Sequence, residues 1–324
     1  MCTAVTYNTN NFYFGRNLDI ERDYGEIVVI TPRQYPFLFR SGVNITDHYA
    51  MIGMAVVAEE YPLYFDATNE KGLSMAGLNF PGNAKYYPIA EGRDNVSPFE
   101  LIPWVLCQCE DTRQALKLLN NINIWHEPFS EAFPLSPLHW ILADACDSYT
   151  LEATQKGFQI YDNPVGILTN NPCFEFHMQN LSNYMNLTAK MPENRFSDKI
   201  ELLPYSFGMG AMGLPGDPSS ASRFIRAAFT KLNAVPSNSE EGNVSQFFHM
   251  LGSVVQQKGV TILNNGEHEY TKYSSCCNAD KGIYYYTTYE NRRICAVDMR
   301  KEQLDSRALI RYPLQQKQDV LFIN

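Results

Sequence analysis

The chain has 324 residues, of which 45% are hydrophobic and 13% aromatic, ample for a large core. A formal charge of −9 and a pI near 5.2, with no block of Lys or Arg, argue against a nucleic-acid partner. The longest clear apolar run, Tyr49 to Ala58, is too short to span a membrane, and a polar start with Asn8, Asn10, Asn11, Arg16 and Asp19 is no secretory signal, so a cytoplasmic protein is expected.

The chain opens as a hairpin, with Thr3–Tyr7 and Phe12–Arg16 flanking an Asn-rich turn. Glu26–Thr31 reads as a β-branched strand ending before Pro32, and Met51–Ala58 as another. Ser97-Pro98-Phe99-Glu100 has the capping-box pattern with Pro at the first helical position, and its helix should run to about Cys109. Asp111 caps a second helix through Asn120. Three short strands follow at His139–Ala145, Tyr149–Ala153 and Phe158–Tyr161. Phe174–Tyr184 looks helical. Ser219 or Ser220 caps a helix through Leu232, and Asn243 or Ser245 starts one through about Gln256. The end returns to sheet at Tyr270–Ser275, Ile283–Tyr289 and Ile294–Met299. Strands, helices and strands again, without strict βαβ alternation, predict a single α+β domain of mainly antiparallel sheets with helices outside.

Several signals carry no chemistry. Gly208-Met209-Gly210-Ala211-Met212-Gly213 satisfies GxGxxG, but Pro215, Gly216 and Pro218 follow where a nucleotide site needs a helix N-terminus. Eight scattered cysteines and six isolated histidines give no zinc spacing, so neither metal nor cofactor is expected. They suit reduced thiols rather than a disulfide scaffold. No GxSxG elbow occurs.

Chemistry concentrates at the start. Removal of Met1 before the small Cys2 would leave one residue carrying both a thiol and a free α-amine, a nucleophile with its own proton shuttle. Gly15-Arg16-Asn17-Leu18-Asp19 brings an Arg and an Asp back toward it, and a nearby guanidinium favours a thiolate.

These residues resemble the choloylglycine hydrolase family of N-terminal-nucleophile amidohydrolases, and within it the bile salt hydrolases. Met1-Cys2-Thr3 is followed in order by Phe14-Gly15-Arg16-Asn17-Leu18-Asp19, Ala76-Gly77-Leu78-Asn79-Phe80-Pro81-Gly82, Leu138-His139-Trp140, Leu168-Thr169-Asn170-Asn171-Pro172, Ser222-Arg223-Phe224-Ile225-Arg226 and Tyr285-Tyr286-Thr287-Thr288-Tyr289-Glu290. The resemblance implies an αββα four-layer sandwich over residues 1–324. It also implies catalytic roles for Cys2, Arg16, Asp19, Asn79, Asn170 and Arg223. The motif alignment selects Asn170 over Asn171 and Arg223 over Arg226. Arg16 would favour the thiolate, Asp19 would orient the α-amine, Asn79 and Asn170 would receive the oxyanion, and Arg223 would hold the polar network. Leu18, Tyr24, Phe65, Phe133 and Leu135 would wall an apolar acyl site. The implied reaction is hydrolysis of glycine- or taurine-conjugated bile salts by a cytoplasmic homotetramer that needs no cofactor and no metal. Penicillin V acylase, an N-acyl lipid amidase or an inactive bile-acid-binding relative are the alternatives, and Asn79, where penicillin acylases tend to carry Tyr, favours the bile-salt reading.

Overall fold

A computed structural model describes residues 1–324. Fourteen strands build two large sheets: β1 (Cys2–Asn8), β2 (Phe12–Ile20), β3 (Ile27–Thr31), β4 (Met51–Ala58), β5 (Tyr61–Asn69), β6 (Ser74–Asn79), β7 (Leu138–Ala143), β8 (Ser148–Thr154), β9 (Gly157–Asp162), β10 (Ile167–Leu168), β11 (His268–Asn278), β12 (Ile283–Thr288), β13 (Cys295–Asp298) and β14 (Ile310–Pro313). The helices are α1 (Leu101–Gln108), α2 (Thr112–Leu119), α3 (Phe174–Leu181), α4 (Ser220–Leu232) and α5 (Glu240–Gly252). One sheet has the order β10-β1-β2-β11-β12-β13, with Thr261–Ile262 pairing to β11; the other runs β9-β8-β7-β6-β5-β4-β3-β14. Every pairing within both is antiparallel.

Period-two alternation explains the layers. Val28, Ile30, Ala76, Leu78, Ile141 and Ala143 join the core that also holds Cys2, Ala4 and Phe14. Their neighbours Val29, Met75, Trp140 and Leu142 pack instead with Leu101, Val105 and Leu106 of α1. On the far side Phe224 of α4 and Phe247 of α5 close the first sheet. The order is helices, sheet, sheet, helices: the expected α+β sandwich. Gly15 permits the close approach of β2 and β11, because a Cβ there would lie 2.0 Å from the Ser275 carbonyl oxygen.

Boundaries differ in instructive places. The Ser97 amide donates to the Glu100 carboxylate at 3.1 Å, the return half of the capping box, but the first turn is a 3-10 helix before α1 begins. Helix α5 starts at Glu240, not at Asn243 or Ser245; the Ser239 hydroxyl accepts from the Gly242 amide at 3.0 Å, and Glu240 and Glu241 suit the positive end of the helix. The β4–β5 hairpin gave no turn signal, because Glu59 and Glu60 occupy it with φ of 50° and 62° where Asn-Gly is the usual pair. The sequence therefore gives no sign that Tyr61 begins a new strand. Strands β5 and β6 frame much of the site.

Candidate functional site

Strand register fixes which side chains meet. Cys2 lies opposite Leu18 and Ala4 opposite Arg16, so all four share one face of the sheet. That face looks toward the second sheet, since the Arg16 guanidinium donates from Nη1 to the Phe65 carbonyl at 3.0 Å and to the Gly77 carbonyl at 2.5 Å. The β4–β5 register shifts between Met54 and Ala55, leaving Phe65 as the extra residue of a bulge. Arg16 is fully buried, and its Nη2 has no partner in the protein. Burial opposes its charge, but the Cys2 thiol, Tyr273, Asp66 and Asp19 together raise its pKa.

Asp66, absent from the sequence reading, lies in the same layer. Its carboxylate accepts from Tyr273 Oη at 2.8 Å and Tyr284 Oη at 2.7 Å. Burial pushes its pKa up against the pull of Arg16 and the two phenols. The sequence marks Ile283–Tyr289 as a strand but gives no sign of the acid that its Tyr284 meets.

Asp19 points the other way. Alternation places it with Thr3 and Asn17 on the helix-facing side, where Thr271 Oγ1 donates to Oδ1 at 2.6 Å and Gln256 Nε2 to Oδ2 at 3.0 Å. The carboxylate makes no hydrogen bond to the Cys2 nitrogen. That nitrogen donates instead to Asn170 Oδ1 at 2.8 Å. With Met1 attached, the Cys2 nitrogen is thus paired with Asn170 and not with Asp19. The reason is the two-residue period of a strand.

Asn170 is the hub. Its Oδ1 also accepts from Arg223 Nη2 at 2.7 Å, and its Nδ2 donates to the Asn79 carbonyl at 2.7 Å. One of its two amide N–H donors is thus used, whereas the exposed Asn79 side chain makes no hydrogen bond and keeps both donors free. Arg223, fully buried on α4, also reaches the Cys2 carbonyl, Thr3 Oγ1 at 2.6 Å and the Pro218 carbonyl at 2.8 Å. Burial lowers its pKa. The neighbours left aside at the motif stage go elsewhere: Arg226 binds the Ser253 and Pro215 carbonyls at 2.6 and 2.8 Å, and Asn171 Nδ2 binds the Pro81 carbonyl at 2.6 Å.

Two buried histidines hold the Asn170 backbone, and neither was singled out from the sequence. His139, stacked on Phe80 with centroids 4.2 Å apart, lies 3.2 Å from Glu152 through Nδ1 and 3.0 Å from the Thr169 carbonyl through Nε2. His177 Nε2 donates to the Asn170 carbonyl at 2.9 Å, while its Nδ1 has no partner. Burial depresses the His177 pKa to about 4, so the ring is neutral with its proton on Nε2. Only the order of Leu138-His139-Trp140 before Thr169-Asn170 hinted at this.

Of the candidate acyl-site residues, Leu18 is buried and pairs across the strands with Cys2, Phe65 is partly buried with its carbonyl on Arg16, and Tyr24 is exposed. Phe133 packs edge-on to Phe129 at 6.1 Å, within an aromatic cluster that includes Phe99; Leu135 lies on the same loop, partly exposed. The loop joins the site where the Phe80 amide donates to the Pro137 carbonyl at 2.7 Å. No group of three or more His, Cys, Asp or Glu side chains could hold a metal ion, and no helix is long and apolar enough to cross a membrane.

Residues 2–312 match the family described as linear amide C-N hydrolases, choloylglycine hydrolase family. The chain is 53% identical to a bile salt hydrolase/transferase of Lactiplantibacillus plantarum over all of both chains. A conjugated bile acid hydrolase of Clostridium perfringens superposes with a TM-score of 0.93 at 35% identity, covering all of each chain. A penicillin V acylase of Agrobacterium tumefaciens, at 19% identity and a TM-score of 0.76 over 97% and 92% of the two chains, shares the fold. The chain belongs to the choloylglycine hydrolase family, carries the Ntn-hydrolase fold and is a linear-amide C–N hydrolase.

Proposed function

We propose that the chain, after loss of Met1, hydrolyses the amide of glycine- or taurine-conjugated bile salts with Cys2 as nucleophile. One observation carries the reading most: the Cys2 nitrogen is held by Asn170 while the buried, partly unpaired Arg16 shares the thiol's face of the sheet. That division lets one residue work as acid–base catalyst and as nucleophile at once. The names of the relatives at 53% and 35% identity supply the substrate class.

The steps follow from the chemistry. The neutral α-amine, bonded to Asn170, takes the thiol proton, and Arg16 balances the thiolate. The thiolate attacks the amide carbonyl, and the free Asn79 amide donates to the oxyanion, a contribution of roughly 10²–10³ in rate. The α-ammonium returns its proton to the departing amine, leaving a thioester that water cleaves with the α-amine as base. Asp19 anchors Thr271 and Gln256 behind the strand, and Arg223 sets the position of Asn170. The L. plantarum relative's name also includes transferase; an amine in place of the water would give that outcome from the same thioester.

Leu18, Tyr24, Phe65, Phe133 and Leu135 form the proposed acyl wall. Assembly of copies into a homotetramer is supported by the segment around residues 185–212, where Phe196, Tyr205 and Phe207 are 85%, 81% and 94% exposed. Eight free cysteines suit a reducing cytoplasm. Parallel assays on glycocholate, taurocholate and penicillin V test the reading. Release of glycine or taurine well above penicillin V turnover supports it, and the reverse preference or no turnover rejects it.

A further inference from the structure

Met1 is bound by its main chain. Its amine donates to the Asp19 carbonyl at 2.6 Å, its carbonyl accepts from the Asp19 amide at 2.9 Å, and its ammonium contacts the Glu269 carboxylate from β11. Glu269 is buried, and its carboxylate makes no hydrogen bond to any other residue. The Met1 side chain, by contrast, is 26% exposed. The grip is on the main-chain atoms, whatever the side chain.

Loss of Met1 would release a matched set of groups: a buried carboxylate, a backbone acceptor and a backbone donor. The new Cys2 α-ammonium would be added where the peptide bond had been. We propose that this set is a binding site for a free α-amino acid. The ligand's ammonium takes the place of Met1's between Glu269 and the Asp19 carbonyl. Its carboxylate accepts from the Asp19 amide and meets the Cys2 ammonium, and its side chain leaves by the partly open path of the Met1 side chain. A carboxylate against the α-ammonium favours the protonated amine. A protonated amine cannot act as base in thioester cleavage, so an occupied site slows turnover. Burial in this position opposes an ammonium's charge, so affinity depends on the Glu269 carboxylate and the Asp19 carbonyl that receive it.

The inference rests on the proposed removal of Met1, so the experiment reads binding and turnover separately. Protein shown by intact mass to begin at Cys2 is titrated calorimetrically with L-methionine, glycine and N-acetyl-methionine. The two free amino acids bind one per chain and N-acetyl-methionine, lacking the ammonium, does not. Glu269→Gln, with its melting temperature checked, weakens binding by roughly tenfold or more, as expected for loss of a charged partner. L-methionine slows cleavage of a taurine conjugate by the parent enzyme and leaves Glu269→Gln unaffected. Absence of binding, equal binding by Glu269→Gln or equal binding of N-acetyl-methionine overturns the site. Binding without any bile-salt turnover would instead overturn the proposed reaction alone.

Discussion

Arg223 and Asn170 are joined by a 2.7 Å hydrogen bond from Nη2 to Oδ1, and the same oxygen receives the Cys2 N–H at 2.8 Å. A guanidinium on α4 thereby fixes the acceptor that orients the start of β1. The two residues should act as one unit. Asn170→Ala should lower kcat by about 10²–10³ with little change in KM, because the amine loses its acceptor. Arg223→Lys keeps the charge but loses the fork and should also lower kcat. The double variant should be hardly worse than Asn170→Ala, with a coupling of roughly 0.5–3 kcal/mol in the cycle. Additive losses would separate the residues.

Cys2→Ala should abolish turnover and leave the melting temperature near that of the parent, since one buried sulfur is lost from a large core. Protein retaining Met1 should be equally inactive. Intact mass alongside rate measurement decides it: full activity with Met1 attached would reject the amine's role.

His177 links the site to pH. Its pKa falls from 6.5 to about 4 on folding, so the unfolded chain takes up the proton first as the solution is acidified. Stability is fully present above pH 6.5, declines below it and levels off near pH 4, a loss of roughly 3 kcal/mol. His177→Gln, which can donate to the Asn170 carbonyl, should flatten that stretch of the denaturation profile and keep much of kcat. His177→Phe should flatten it too but lower kcat, because the carbonyl loses its donor. Equal kcat in both variants would make His177 a packing residue.

The Glu59-Glu60 turn holds two non-glycine residues at positive φ. Replacing them with Asn-Gly should raise stability by about 1 kcal/mol, measured by urea denaturation, with activity unchanged. The gain is limited by the lost ion pair between Glu60 and Arg311 and by entropy added to the unfolded chain.

Local rules made much of this protein legible. The Asn-rich turn, Pro32, Asp111 and the seryl caps mark elements that the structure contains within a few residues. The family motifs led to Cys2, Arg16, Asn170 and Arg223, which the fold brings together. What failed was long-range or unusual. The β4–β5 turn breaks residue preference, so the start of β5 carries no signal. The face on which Asp19 lies depends on its pairing with Met1 and Thr271, not on its nearness in sequence to Arg16. Asp66, His139 and His177 matter through backbone carbonyls and buried phenols far along the chain. No spacing rule encodes that.

The bulge at Phe65 gives one residue two separable duties. Its carbonyl anchors Arg16, and its side chain belongs to the proposed acyl wall. Every amino acid supplies the same carbonyl. Descendants could therefore exchange the aromatic ring for other shapes, and so try new acyl groups, while the charge beside the nucleophile stays where it is. Innovation at this position is shielded from its most damaging side effect.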